Sequence, residues 1–239
     1  MTGFHRASLL ELVAQGEDQS QLERAVLLLR VARPELNLDT AWDWPVGDRD
    51  RAIWETWRQH HRGALEAVSA CPDCGDQLEY VLPEDFAPPP AVIDQASIRF
   101  EGREYIVRLP TSRDLLAAQR GELNLLPGGE SMNIIPQHLI EEALEAADPG
   151  LDVAFAHTCP SCAAQWKQSF DVSRFVWQDC LQRAERLLLD VDTIARTYGW
   201  SEHEILDLSE QRRLRYVAMI LEQAAGNIQR LHAGRQRLA

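Results

Sequence analysis

The sequence predicts an α+β fold that is mostly helical and contains a small β ribbon built from two separated segments. Apolar residues recur at helical spacing near both ends of the chain, for example at Leu22, Val26 and Leu29, a period typical of amphipathic helices. Short runs in the middle alternate apolar and polar residues, as at Leu78 and Tyr80, which indicates strands. The third observation is a pair of CxxC segments that lie far apart.

The two cysteine segments are Cys71-Pro-Asp-Cys74 and Cys159-Pro-Ser-Cys162. Each places two thiols on one tight turn, and a tetrahedral Zn²⁺ site takes four thiolates in two such pairs. About 84 residues lie between Cys74 and Cys159, far more than the roughly 15–20 of the compact pattern. The sequence therefore predicts a split zinc ribbon whose metal ligands are Cys71, Cys74, Cys159 and Cys162.

Other chemistries for these cysteines stay open. Four thiolates suit iron as well as zinc. A redox dithiol or two local disulfides are further alternatives, although a redox CxxC normally opens a helix, and strand-like alternation follows both motifs here. His60 and His61 could be ligands only if the four cysteines did not fill the shell. The fifth cysteine, Cys180, is interpreted as a small apolar core residue on a helix.

Composition indicates a globular protein of the cytoplasm. The 239 residues carry a net charge of −13, which argues against general binding to nucleic acid or anionic membranes. No apolar run approaches the ~20 residues of a membrane span, and the N-terminus lacks the pattern of a signal peptide. Four of the five cysteines stand in CxxC pairs, which fits a metal in a reducing compartment better than disulfides.

Three regions are predicted: an N-terminal helical region 1–70, a split zinc ribbon 71–172 with an insertion 83–150, and a C-terminal helical region 173–239. In the first region, residues 6–33 are expected to be helical with a polar break at 16–20. A second helix is predicted from Gly47-Asp48 to about Ser69, with Trp54 and Trp57 on its apolar face.

The insertion is predicted to hold a hairpin followed by helices. Two alternating runs flank Glu101-Gly102-Arg103-Glu104, a pattern that indicates a hairpin. Thr111 is expected to cap a helix over 112–119, with Asp114 favourably placed near its exposed N–H groups. A loop containing Pro127-Gly128-Gly129 and a helix from Pro136 to about Ala147 complete the insertion.

The C-terminal region is predicted to be helical, with a break at Gly199. Ser201 and Glu204 form a capping-box pattern, and the spacing from Ala195 through Gly199 to Ile205 also fits a helix-turn-helix. The candidate recognition helix, 201–209, carries three carboxylates and no arginine, so phosphates would repel it. A nucleic-acid-binding regulator is therefore the alternative function, and packing is the favoured role of this turn.

The sequence contains no enzyme signature. It has no glycine-rich phosphate loop followed by lysine, no HExxH and no GxSxG serine elbow. A closed shell of four thiolates leaves no open position for a reacting water. The expectation is a non-catalytic protein that has no catalytic residues and no small-molecule substrate.

Several motifs resemble a known family. They are Arg24-Ala-Val-Leu-Leu-Leu, Gly47-Asp-Arg-Asp, the CPxCG at Cys71, Val107-Arg-Leu-Pro-Thr-Ser-Arg-Asp-Leu115, the second CPxC, the block Asp190 to Leu206 containing Tyr198-Gly-Trp-Ser-Glu-x-Glu-Ile, and Arg212-Arg-x-x-Tyr216. In their order, these elements resemble the baseplate hub and hub-assembly (chaperone-like) proteins of T-even-like contractile phage tails. Similar proteins belong to phage-tail-like contractile injection systems.

This resemblance implies a structural or assembly function without catalysis. It implies other baseplate or tail proteins as partners, either in the cytoplasm or in a tail-like particle. Trp200 and Tyr198 are candidates for a binding surface, because aromatic residues are favoured interface anchors. The competing interpretation places both in the core, where they fix the helical turn.

Overall fold

The computed structural model describes residues 6–61, 65–126 and 134–236. The prediction of an α+β fold is confirmed, since this part of the chain contains both helices and antiparallel strand pairs. The helices are α1 (Arg6–Gly16), α2 (Gln21–Ala32), α3 (Leu38–Trp42), α4 (Val46–Arg58), α5 (Ser112–Gln119), α6 (Gln137–Ala147), α7 (Val172–Tyr198), α8 (Glu202–Leu206) and α9 (Glu210–Gln236). The strands are β1 (Leu65–Ala70), β2 (Gln77–Leu82), β3 (Gln95–Phe100), β4 (Arg103–Arg108), β5 (Ala154–Thr158) and β6 (Gln165–Ser169).

The chain divides into two compact units. The first extends from Gln15 to Gln178 and contains every described strand. The second combines α1 residues up to Ala14 with the chain from Asp179 onward. The strands form three separate antiparallel hairpins, β1–β2, β3–β4 and β5–β6.

The helical core of the first unit lies between α2 and α4. Ser20 caps α2 through a capping box with Glu23, which satisfies N–H groups that the first turn cannot pair. Leu29 is fully buried on α2, and Trp54 and Trp57 are buried on α4 with ring centroids 5.1 Å apart. The tryptophans predicted to face the core therefore do so.

The prediction of a continuous helix to about Ser69 is wrong. Helix α4 ends at Arg58, and β1 begins at Leu65. Leu65, Ala67 and Ser69 face inward in alternation with exposed neighbours, and Val68 is 60% exposed. A short apolar run fits the spacing of a helix and the alternation of a strand equally well. Hydrogen bonding to β2 makes this segment a strand.

The predicted hairpin and its helices surround a second core. Strands β3 and β4 turn at Glu101 and Gly102, both with positive φ, and Val107 is fully buried against Ile140 and Leu144 of α6. Thr111 caps α5 in a capping box with Asp114, as predicted. The predicted loop at Pro127-Gly128-Gly129 lies outside the described residues.

The second unit is helical. Arg213 of α9 is buried and donates to the Asp190 carboxylate of α7 at 2.8 Å, which connects the start of α9 to α7. None of the described helices combines the length and the apolar character that a membrane span requires.

Candidate metal centre

The first CxxC segment closes the hairpin β1–β2. Ala70 pairs with Gln77 at the end of the ladder, and the turn between them holds Cys71 and Cys74. The Cys71 N–H donates to the Asp76 carbonyl at 2.8 Å, and the Gly75 N–H donates to the Cys71 carbonyl at 3.0 Å. These bonds fix the backbone that presents the two sulfurs.

The second CxxC segment repeats this arrangement at the end of β5–β6. The Cys159 N–H donates to the Ala164 carbonyl at 2.9 Å, and the Ala163 N–H donates to the Cys159 carbonyl at 3.0 Å. Gly75 and Ala163 occupy the same position of the turn and have φ of 77° and 61°. We call these two turns, 71–76 and 159–164, the knuckles.

The knuckles bring their four sulfurs into one cluster. All four Sγ atoms lie within 4.8 Å of one another, with 3.6 Å between Cys71 and Cys162 and 3.6 Å between Cys74 and Cys159. Sulfurs about 2.3 Å from a tetrahedral ion stand ~3.8 Å apart. The thiols form no disulfide, so the four cysteines are positioned to bind a metal ion, as predicted.

Each knuckle contributes one buried and one exposed cysteine. Cys71 and Cys159, which directly follow a strand, are 2% and 1% exposed, whereas Cys74 and Cys162 lie at the surface. The cluster is therefore anchored in the hairpins on one side and open to solvent on the other.

Electrostatics within the cluster favour a cation. The Cys162 backbone N–H is the main cause that lowers the pKa of Cys159 to about 7, and the Ser161 N–H adds to it. The Ala164 backbone also lowers the pKa of Cys162, but desolvation and the neighbouring thiols raise it to about 12. Because one thiolate disfavours the next, four thiolates can coexist here only around a positive ion.

The two hairpins also pack against each other through aromatic side chains. Tyr80 of β2 lies 4.5 Å from His157 of β5, and His157 lies 5.3 Å from Trp166 of β6, between ring centroids. The Ser161 hydroxyl donates to the Asp76 carboxylate across the knuckles. Sequence reasoning did not predict these pairings. The available signal was that His157 lies two positions after Phe155, so that both rings belong to the inward face of β5.

The other candidate residues lie elsewhere. His61 stacks on Trp57 with centroids 4.1 Å apart, and the Nδ1 atoms of His60 and His61 hydrogen-bond carbonyls of α4. Cys180 is fully buried, and burial raises the pKa of its thiol to about 12, which keeps it a neutral core residue.

The candidate helix-turn-helix has a short second helix. Helix α7 ends at Tyr198, Gly199 has a φ of 71°, and Ser201 caps α8 with Glu204 as predicted. Helix α8 contains five residues. Tyr198 and Trp200 stack with centroids 5.2 Å apart and Tyr216 of α9 contacts both rings, while Tyr198 remains 37% exposed.

No protein-family model matches this chain, and neither a curated protein nor a solved structure shows significant similarity to it.

Proposed function

We propose that the four-cysteine cluster holds a structural Zn²⁺ ion and that the two hairpins around it form a split zinc ribbon. The supporting observation is the meeting of four sulfurs from segments 85 positions apart within 4.8 Å. A shell of four thiolates is closed, so it stabilises structure and leaves no site for substrate or water.

We further propose a non-catalytic role as a structural or assembly component of a contractile tail or injection-system baseplate. The motif resemblance described above supports this role, and the closed thiolate shell is compatible with it. The protein would present its helical surfaces to other baseplate or tail proteins, in the cytoplasm or within a tail-like particle.

Metal content tests the zinc proposal. We expect one zinc ion per chain in the purified protein and in Cys180→Ala, whose cysteine lies outside the cluster. Cys71→Ser and Cys159→Ser should each lose the metal, because a shell of three thiolates and a hydroxyl binds zinc more weakly. Elemental analysis of the four proteins gives the answer.

Two outcomes would contradict the zinc proposal. Bound iron with the absorption of a thiolate complex would replace zinc by the other metal that suits four sulfurs. Full zinc retention in Cys159→Ser would show that the second knuckle does not supply ligands. The proposal that both knuckles share one metal site would then be wrong.

The assembly role needs a separate experiment. The protein should co-purify with tail or baseplate components from assembling cells, and Cys71→Ser should reduce this association if the ribbon must be folded. Detection of the protein only in free form, in assembling cells and in finished particles alike, would refute the role.

A further inference from the structure

The four sulfurs of the cluster form two close pairs, and each pair joins one knuckle to the other. Between Sγ atoms, Cys71 lies 3.6 Å from Cys162, and Cys74 lies 3.6 Å from Cys159. In both pairs the first cysteine of one knuckle faces the second cysteine of the other. The two pairs share no sulfur, so both can close in the same molecule.

Each pair combines a shielded sulfur with an accessible one. Cys162 is exposed and its partner Cys71 is 2% exposed, whereas Cys74 is exposed and its partner Cys159 is 1% exposed. An oxidant in solvent therefore reaches one member of each pair, and the other member stands directly beside it. Cysteines that respond to oxidants have this arrangement, in which an accessible thiol neighbours a second thiol that resolves the oxidised form.

Contacts without sulfur also hold the knuckles side by side. The Ser161 hydroxyl donates to the Asp76 carboxylate, and the Ser69 hydroxyl donates to the Gln168 side-chain oxygen at 3.3 Å. The aromatic contacts between β2 and β5 act in the same direction. The sulfurs of the two knuckles therefore remain neighbours when no ion holds them.

We propose that oxidation closes the cluster as two disulfides that cross between the knuckles, Cys71–Cys162 and Cys74–Cys159, and not as local bridges within each CxxC segment. Disulfide sulfurs stand about 2.05 Å apart, so each pair must approach by roughly 1.6 Å. The crossed bonds use all four thiols and keep the two hairpins joined. The accompanying release of zinc rests on the proposed function, whereas the pairing of the sulfurs does not.

The oxidant is a hydroperoxide such as hydrogen peroxide. The exposed thiol takes one oxygen atom from the peroxide and becomes a sulfenic acid, and the rest of the peroxide leaves as water. The buried partner then attacks the oxidised sulfur: the S–S bond forms, the S–O bond breaks, and the hydroxyl leaves as water with the partner's proton. Each disulfide thus removes a pair of electrons from two thiols and consumes one peroxide, and a dithiol reductant restores both thiols.

Peptide mapping of the oxidised protein tests the pairing. Full-length protein as purified is treated with one peroxide per cysteine pair of the cluster, alkylated, and digested with trypsin without reduction. The cysteines of the first knuckle lie on the tryptic peptide 63–99 and those of the second on 121–167. We expect these two peptides to be joined by disulfides. Cys180, which is fully buried, should remain a thiol on the peptide 175–183 and serves as the internal control.

Double variants identify which sulfurs pair. Cys74→Ser/Cys159→Ser retains one close pair, and Cys71→Ser/Cys162→Ser retains the other. Each should form its disulfide at least about tenfold faster than Cys74→Ser/Cys162→Ser, whose remaining cysteines are both buried and give the oxidant no accessible sulfur. Equally fast closure of Cys71→Ser/Cys159→Ser, which retains the two exposed cysteines, would contradict the pairing.

Thermal unfolding gives a second readout on the wild-type chain. Crossed bonds close loops that span 85 and 91 positions, which restricts the unfolded chain strongly. The oxidised, metal-free protein should therefore unfold roughly 10 °C above the reduced, metal-free protein. A dye that binds released zinc follows the ion in the same samples.

Three results would overturn the proposal. Separate peptides 63–99 and 121–167, each with an internal disulfide, would show that the bridges are local. Sulfinic or sulfonic acids without any disulfide would show that the partner thiols do not resolve the oxidised form. Disulfide-linked dimers would show that pairing takes place between chains. A protein purified without zinc that still gives joined peptides would contradict the zinc proposal alone and support the crossed pairing.

Discussion

Asp148 is a buried carboxylate with an incomplete set of hydrogen bonds. It is 1% exposed, its Oδ1 accepts from the Gly150 N–H at 3.1 Å, and its Oδ2 is buried without a partner among the described residues. Gly47 leaves room for this carboxylate, since a Cβ there would collide with it. The Gly-Asp-Arg-Asp motif at residues 47–50 thus has a packing reason for its glycine.

The environment of Asp148 gives stability a pH dependence. Burial is the main cause that raises its pKa; the Gly150 hydrogen bond and Arg51 oppose this, and Asp48 and Asp50 raise it further. As pH rises above the ordinary aspartate value, the unfolded chain loses this proton before the folded chain does. The contribution of Asp148 to the free energy of unfolding therefore falls as pH rises through the higher folded pKa.

Asp148→Asn removes the titrating carboxyl group and should remove this loss of stability at high pH. We expect the variant to be more stable than the wild type at pH 8, by roughly 1 kcal/mol, and the difference to shrink toward pH 4. Urea denaturation at several pH values measures it. Asp85→Asn, an exposed control, should shift stability by less than about 0.5 kcal/mol; a variant Asp148→Asn that loses stability at pH 8 would contradict the argument.

At the scale of elements, the two knuckles reach the same backbone conformation with different residues. The residue after the second cysteine has positive φ in both, and the first knuckle uses glycine whereas the second uses Ala163. An L-residue in this region costs roughly 1–2 kcal/mol relative to glycine. A Cβ at Gly75 would meet no atom within 4 Å, so backbone conformation alone distinguishes the two positions.

Reciprocal substitutions should therefore have opposite signs. Gly75→Ala should lower the free energy of unfolding by about 1 kcal/mol, and Ala163→Gly should raise it by about 0.5–1 kcal/mol. Denaturation at fixed free zinc measures both, because bound metal adds to apparent stability. Equal signs would show that the two turns differ in more than this backbone angle.

The sequence predicted the elements whose chemistry is local. The caps at Thr111 and Ser201 depend on residues three positions apart, and the cysteine cluster follows from what a tetrahedral ion requires. Strand β1 was missed because Leu65 and Val68 fit a helical face as well as a strand. Its identity depends on pairing with β2 and on contact with the second hairpin, as in the Ser69 to Gln168 hydrogen bond of 3.3 Å.

At the scale of the molecule, aromatic packing joins parts of the first unit that are distant in sequence. Trp54 of α4 contacts Phe86 at 4.9 Å and Phe170 at 5.9 Å, and Phe155 contacts both phenylalanines. No local pattern pairs such residues, so sequence reasoning could place them in a core but could not identify their neighbours. These contacts extend from the β5–β6 hairpin, which carries two of the four cysteines, to the helical core.

Under the zinc proposal, removal of the metal should act on one unit. We expect a chelator to speed amide exchange in β1, β2, β5 and β6, because the cluster links hairpins that are distant in the chain. Amides of α8, in the second unit, should keep their protection. Hydrogen exchange read by mass spectrometry measures both, and protection should return when zinc is restored; unchanged strands after complete chelation would show that aromatic packing alone holds the hairpins.

The separation of the knuckles has a consequence for biosynthesis. Cys74 is synthesised 85 positions before Cys159, and Cys71 is synthesised 91 positions before Cys162, which at common translation speeds takes roughly 4–18 s. During that interval the nascent chain offers only half of a coordination shell. Under the zinc proposal, tight metal capture would therefore wait for the second knuckle, and loading of the ion would show that translation had passed residue 162.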